Sequence, residues 1–126
     1  MSDRYITAKV QTYSSGTPGR ALSSARTNHF VIDDMASHDH GGPGEAINAA
    51  ELFLSGITGC AVLMMERLAR ANNLPLKRAH VSMEGSIDTQ AQREGPPVLD
   101  SARMKFTLAG LTNAQAKELV DTYKRR

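Results

Sequence analysis

The chain has 126 residues, enough for one hydrophobic core, and a single domain over residues 1–126 is expected. Fifteen Lys and Arg against thirteen Asp and Glu leave a net charge of +2, too small and too dispersed for a nucleic-acid surface, and a single cysteine excludes an intramolecular disulfide framework. The amino terminus, MSDRYITAKV, has no secretory h-region, and the longest uncharged stretch, Leu52 to Met65, falls short of the roughly 18 apolar residues of a membrane span, so a soluble cytoplasmic protein without a membrane partner is expected.

Tyr5 to Tyr13 alternates, with Ile6, Ala8 and Val10 on one side and Thr7, Lys9 and Gln11 on the other, the period of a half-buried strand. The turn formers Ser14 to Gly19 lead to Arg20–Ser24, which returns as the second strand of a hairpin. Asn28 to Asp33, with Phe30 and Ile32 on one face, supplies a third strand. The following segment, DMASHDHGGPGEAI, is rich in glycine and acids and reads as an exposed loop.

From Asn48 to Asn72 the spacing predicts the central helix. Phe53, Gly56, Ile57, Cys60, Leu63, Met64 and Leu68 recur at three- and four-residue intervals, and Cys60 to Met65 is apolar all round, so the middle of this helix should be enclosed on several sides. Asn48 is the expected N-cap, with Glu51 completing a variant capping box, and Gly56 and Gly59 predict close packing or a bend. Judged by residue type alone, Cys60 is a small buried hydrophobe, and Met64 and Met65 are core.

Arg78 to Asp88 and Ala102 to Ala109 alternate as a fourth and a fifth strand, paired with each other, and His80 falls on the polar face. Thr112 to Gln115 forms a capping box before the stripe Ala116, Leu119, Val120 and Tyr123 of a second helix. The order is βββ, α, ββ, α, an α+β fold.

His29 to Asp33, Gly41-Gly42-Pro43-Gly44, Glu51 to Cys60, Asn73 to Leu76 and Val81 to Gly85, in this order and spacing, resemble the OsmC/Ohr family, the osmotically inducible protein C and organic hydroperoxide resistance proteins. The resemblance covers the chain from about Tyr5 onward. It implies an intertwined homodimer whose central helices are enclosed by antiparallel sheets, with active sites at the subunit interface. It also implies thiol peroxidase chemistry, in which Cys60 is the nucleophile, an arginine of the amino-terminal sheet stabilises the thiolate, and a glutamate before the central helix holds that arginine. The arginine is Arg20 or Arg26. The glutamate position of the peroxidases is Ala50 here, and Glu51 lies one residue later, rotated by about 100° around the helix. An apolar substrate pocket lined by Phe53, Ile57 and Met64 suits an alkyl hydroperoxide.

Peroxidase members carry a second cysteine, in a Cys-Pro context, near where this chain reaches Tyr123 to Arg126. Either a carboxy-terminal tail that carries it is absent from this sequence, or an external thiol or dithiol is the expected reductant. The alternative is a non-catalytic dimer of the same fold that binds a small apolar ligand, with Cys60 a buried core residue. His38-Asp39-His40, beside Asp33, Asp34 and Glu45, is the one segment of metal-ligand character. It lies in a single loop without a second ligand pair, so neither a metal nor a cofactor is expected. A metal-dependent hydrolase at His38 and His40 is the third reading.

Overall fold

A computed structural model describes residues 4–36, 41–88, 90 and 99–125. The element order is β1 (Gln11–Ser14), β2 (Arg20–Ala25), β3 (Asn28–Asp33), α1 (Ala49–Ala71), β4 (Arg78–Ser86), β5 (Ser101–Ala109) and α2 (Asn113–Lys124). It is the α+β order read from the sequence. The chain gathers into two compact units, residues 1–52 and 53–126.

The first unit is an antiparallel sheet in the order β1-β2-β3. Only Arg26 and Thr27 separate the paired residues Ala25 and Asn28, and Arg26 takes a positive φ of 56°. That two-residue turn sets the register, which places Arg20 opposite Asp33. The first strand is shorter than its alternation predicts. Gln11 pairs with Ser24, so Val10 comes level with Ala25, the last residue of β2, and residues before Val10 run beyond its end, where the hairpin turns away. Tyr5, Ile6 and Val10 are therefore exposed, at 75%, 99% and 72%: an alternating pattern becomes a strand only beside a partner edge.

In the second unit, β4 and β5 form a two-stranded antiparallel sheet. Its half-buried residues are Ala79, Val81 and Met83 on one strand and Met104, Phe106 and Leu108 on the other. Met65, Leu68 and Ala69 of α1 and Leu119 of α2 are buried together, with Phe106, Leu108, Leu76 and Tyr123 packed against them. The Phe106 and Tyr123 rings meet edge to face at 5.5 Å.

Both helices start with reciprocal caps. The Asn48 Oδ1 accepts from the Glu51 N–H at 2.8 Å, and the Glu51 carboxylate accepts from the Asn48 N–H at 3.0 Å. Thr112 and Gln115 repeat the arrangement at 3.2 and 3.0 Å. Helix α1 is closed beyond Ala71 by Asn73, which adopts φ 54°; its N–H donates to the Arg70 carbonyl while the Leu74 N–H donates to that of Ala69, the pairing of a Schellman motif with asparagine in glycine's place.

Two expectations for α1 need correction. The buried residues of this helix are Ala61, Met65, Leu68 and Ala69, whereas Phe53 and Leu63 are 62% and 61% exposed and Cys60 is exposed, so the middle is enclosed on one side and open on the other. A side chain at Gly56 or Gly59 would meet nothing within 4 Å, so no close packing explains those glycines here. By length and composition α1 is also apolar enough to cross a membrane.

Candidate functional site

Three charged side chains converge at the base of the amino-terminal sheet. Because the hairpin register sets Arg20 opposite Asp33, the guanidinium needs only to reach across the ladder. It donates from Nε to Asp33 Oδ1 and from Nη2 to Oδ2, both at 2.7 Å, the two-pronged geometry that a planar guanidinium and a carboxylate favour. Asp33 has no exposed side-chain surface. Its Oδ2 also accepts the backbone N–H groups of Glu45 and Ala46, at 3.0 and 3.1 Å, while its own N–H donates to the Ile47 carbonyl at 3.1 Å. One buried carboxylate thus ties the arginine to the segment that enters α1.

Glu45 is a different kind of partner. Its Oε1 accepts from the same Nη2 at 3.3 Å, and its side chain is 76% exposed. The hydrogen bonds from Arg20, helped by the N–H groups of Glu45 and Ala46 and opposed by burial, pull the Asp33 pKa down to about 2. Reciprocally, the Asp33 hydrogen bond first, then the charges of Asp33 and Glu45, raise the Arg20 pKa against its desolvation. Gly19 adjoins this cluster at φ 77°, and its carbonyl accepts the Asp34 N–H at 2.8 Å. A Cβ on Gly19 would come within 2.5 Å of the Gly42 Cα, so glycine is needed for both conformation and space.

The two candidate arginines are thereby distinguished in place. Arg20 begins β2 and is held; Arg26 follows its other end, exposed at the tip of the turn. Glu51 is engaged in capping α1 and does not hold Arg20, whose carboxylate partners are Asp33 and Glu45. On α1, Phe53, Ile57, Cys60 and Met64 fall within about 60° of one another around the helix axis, with Phe53 and Cys60 exposed and Ile57 and Met64 half-buried. His38, Asp39 and His40 lie outside the described residues. Among the described residues no group of three His, Cys, Asp or Glu is placed to hold a metal ion.

Asp33 and Glu45 were named from the sequence only beside the His38-Asp39-His40 segment, not as partners of an arginine. A signal for Asp33 was partly present: once the strand predicted over Arg20–Ser24 is extended by one residue to Ala25, a two-residue turn makes Arg20 and Asp33 direct partners. Glu45 carried none, because its approach depends on how the glycine-rich segment folds back on β3.

A family model described as OsmC-like protein matches residues 42–126. Cys60, Glu45 and Glu51 lie inside that match, and Arg20 and Asp33 precede it. No curated protein matches the sequence. Among solved structures, an OsmC-like protein from Mycoplasma pneumoniae superposes with a TM-score of 0.80 at 15% identity, over 96% of this chain and 82% of its own. An organic hydroperoxide resistance protein OsmC from Legionella pneumophila gives 0.71 at 20% identity, over 92% and 80%. A hydroperoxide resistance protein from Vibrio cholerae, with captopril bound in one of its active sites, gives 0.70 at 23% identity, over 96% and 81%. At these identities the likeness speaks for the fold, βββ-α-ββ-α, including the amino-terminal sheet that the family model leaves out. The chain belongs to the OsmC-like family.

Proposed function

We propose that the protein is a thiol-dependent hydroperoxide reductase working as a homodimer, with Cys60 as nucleophile and Arg20 as the cation that favours its thiolate. The observation that carries this reading is an exposed cysteine, the only one of the chain, on an apolar helix face in a member of the OsmC-like family. The thiolate sulfur attacks the terminal peroxide oxygen, the O–O bond breaks, and the alkoxide leaves as an alcohol after taking a proton, so Cys60 becomes a sulfenic acid. An external thiol then attacks that sulfur, water leaves, and a second thiol releases the cysteine with formation of the external disulfide. Phe53, Ile57 and Met64 share the helix face of Cys60 and make it apolar, which favours an organic over an inorganic hydroperoxide.

A non-catalytic dimer binding a small apolar ligand is the second reading, favoured by one observation: Glu51, the nearest glutamate to the family's arginine-holding position, is engaged in a helix cap. Intact mass after one equivalent of an organic hydroperoxide, with a sulfenic-acid trap present, decides between them. The peroxidase reading expects one trap group on wild type and none on Cys60→Ser. An unmodified wild type that is also slow toward alkylating reagents leaves the binding reading in place.

A further inference from the structure

The charge balance around Arg20 does not suit a group that presents positive charge to an anion. Among the described residues one guanidinium faces two carboxylates, Asp33 and Glu45, so these three groups sum to a net charge of about −1. With Asp33 alone the sum is zero and the outer edge of the guanidinium is free to donate. The two carboxylates differ in every respect that governs exchange. Asp33 is enclosed, makes two 2.7 Å hydrogen bonds to the arginine and accepts two backbone N–H groups. Glu45 makes one 3.3 Å contact, to an Nη2 already engaged by Asp33, from a side chain 76% exposed to water. Its backbone is pinned by its own N–H on Asp33 Oδ2, so the carboxylate swings away without moving the segment that enters α1.

We propose that Arg20 is an anion-binding group with one permanent and one exchangeable carboxylate: Asp33 is the positioning residue that fixes the guanidinium, and Glu45 is an occupant that an incoming anion displaces. The identity of that anion as the Cys60 thiolate rests on the peroxidase reading; the exchange itself rests on the geometry of Arg20, Asp33 and Glu45. The two carboxylates then have opposite effects. Removing the Glu45 charge relieves competition and repulsion, and an anion binds more tightly. Removing the Asp33 charge frees the guanidinium to wander, and anion binding is lost.

The test follows the Arg20 Nε–H resonance while acetate, the free counterpart of the Glu45 group, replaces chloride at constant ionic strength. Wild type, Glu45→Gln, Glu45→Asp and Asp33→Asn are compared, each checked for native fold by circular dichroism. The expected result is saturable binding to wild type and binding tighter by on the order of fivefold in Glu45→Gln, as the loss of one charge at about 4 Å in a wet site implies. Glu45→Asp, one methylene shorter, should lie between them. Equal or weaker acetate binding in Glu45→Gln overturns the proposal, as does an Arg20 resonance that acetate leaves unmoved in both proteins. Should Asp33→Asn not fold, the two Glu45 variants still decide.

The same proteins are reacted with iodoacetamide at neutral pH. Faster alkylation of Cys60 in Glu45→Gln identifies the thiolate as the anion served. Tighter acetate binding with unchanged alkylation separates the failure of the peroxidase reading from that of the exchange, which then stands alone.

Discussion

Asp33 joins Arg20 of β2 to the segment that enters α1, and its linkage to pH has a definite sign. Its folded-state pKa of about 2 lies below the ordinary 3.8, so the stabilisation it provides is fully present above about pH 4 and is lost as pH falls toward 2. The thermal midpoint of wild type should exceed that of Asp33→Asn at pH 5, and the gap should close by pH 2. Asp121, also held below its usual range by Lys117, titrates in both proteins and cancels in the difference. A gap that stays constant over this interval would mean that folding leaves the Asp33 pKa at its ordinary value. At this scale the sequence was partly legible. Cys60 stands out as the single cysteine, Arg20 and Arg26 are not told apart by the chain alone, and the Arg20–Asp33 pair follows from the hairpin register, but the contact of Glu45 depends on a loop path that no periodicity encodes.

Local signals define the elements well where each satisfies its own backbone. The caps at Asn48 and Thr112 and the turn at Asn73 close their hydrogen bonds within a few residues, so the helix limits could be read from the chain. Asn48→Ala, which removes the acceptor for the Glu51 N–H, should lower unfolding stability by about 1 kcal/mol. Glu51→Gln, which keeps an acceptor for the Asn48 N–H, should leave both the denaturation midpoint and the reactivity of Cys60 nearly unchanged. A Glu51→Gln protein with slow Cys60 chemistry and an unaltered midpoint would instead give Glu51 a role at the reacting site. Residues 5–10 and Gly56 and Gly59 show where local reading stops. A strand needs a neighbouring edge and a helix glycine needs a neighbour to admit, and the chain alone supplies neither.

At the scale of the molecule, the unsatisfied surfaces have one economical explanation. Phe53 and Leu63 on the open side of α1, and Tyr5, Ile6 and Val10 ahead of β1, leave more large apolar side chains in water than a small domain ordinarily tolerates, and we propose that a second copy of the chain covers the helix face. Sedimentation should find twice 13.6 kDa for wild type and a shift toward monomer for Leu63→Asp; a wild type that sediments as a monomer at micromolar concentration contradicts this. If Cys60 reduces hydroperoxides with the help of Arg20, the second-order rate of Cys60 oxidation by an organic hydroperoxide depends on that arginine. Wild type, Arg20→Gln, Arg20→Lys and Arg26→Gln should be compared under single-turnover conditions. Losing a preorganised donor to developing charge costs on the order of 100-fold or more, so Arg20→Gln should fall by that factor, Arg20→Lys should recover only part of it, and Arg26→Gln should match wild type. Equal rates for Arg20→Gln and wild type, or a loss confined to Arg26→Gln, would contradict the account.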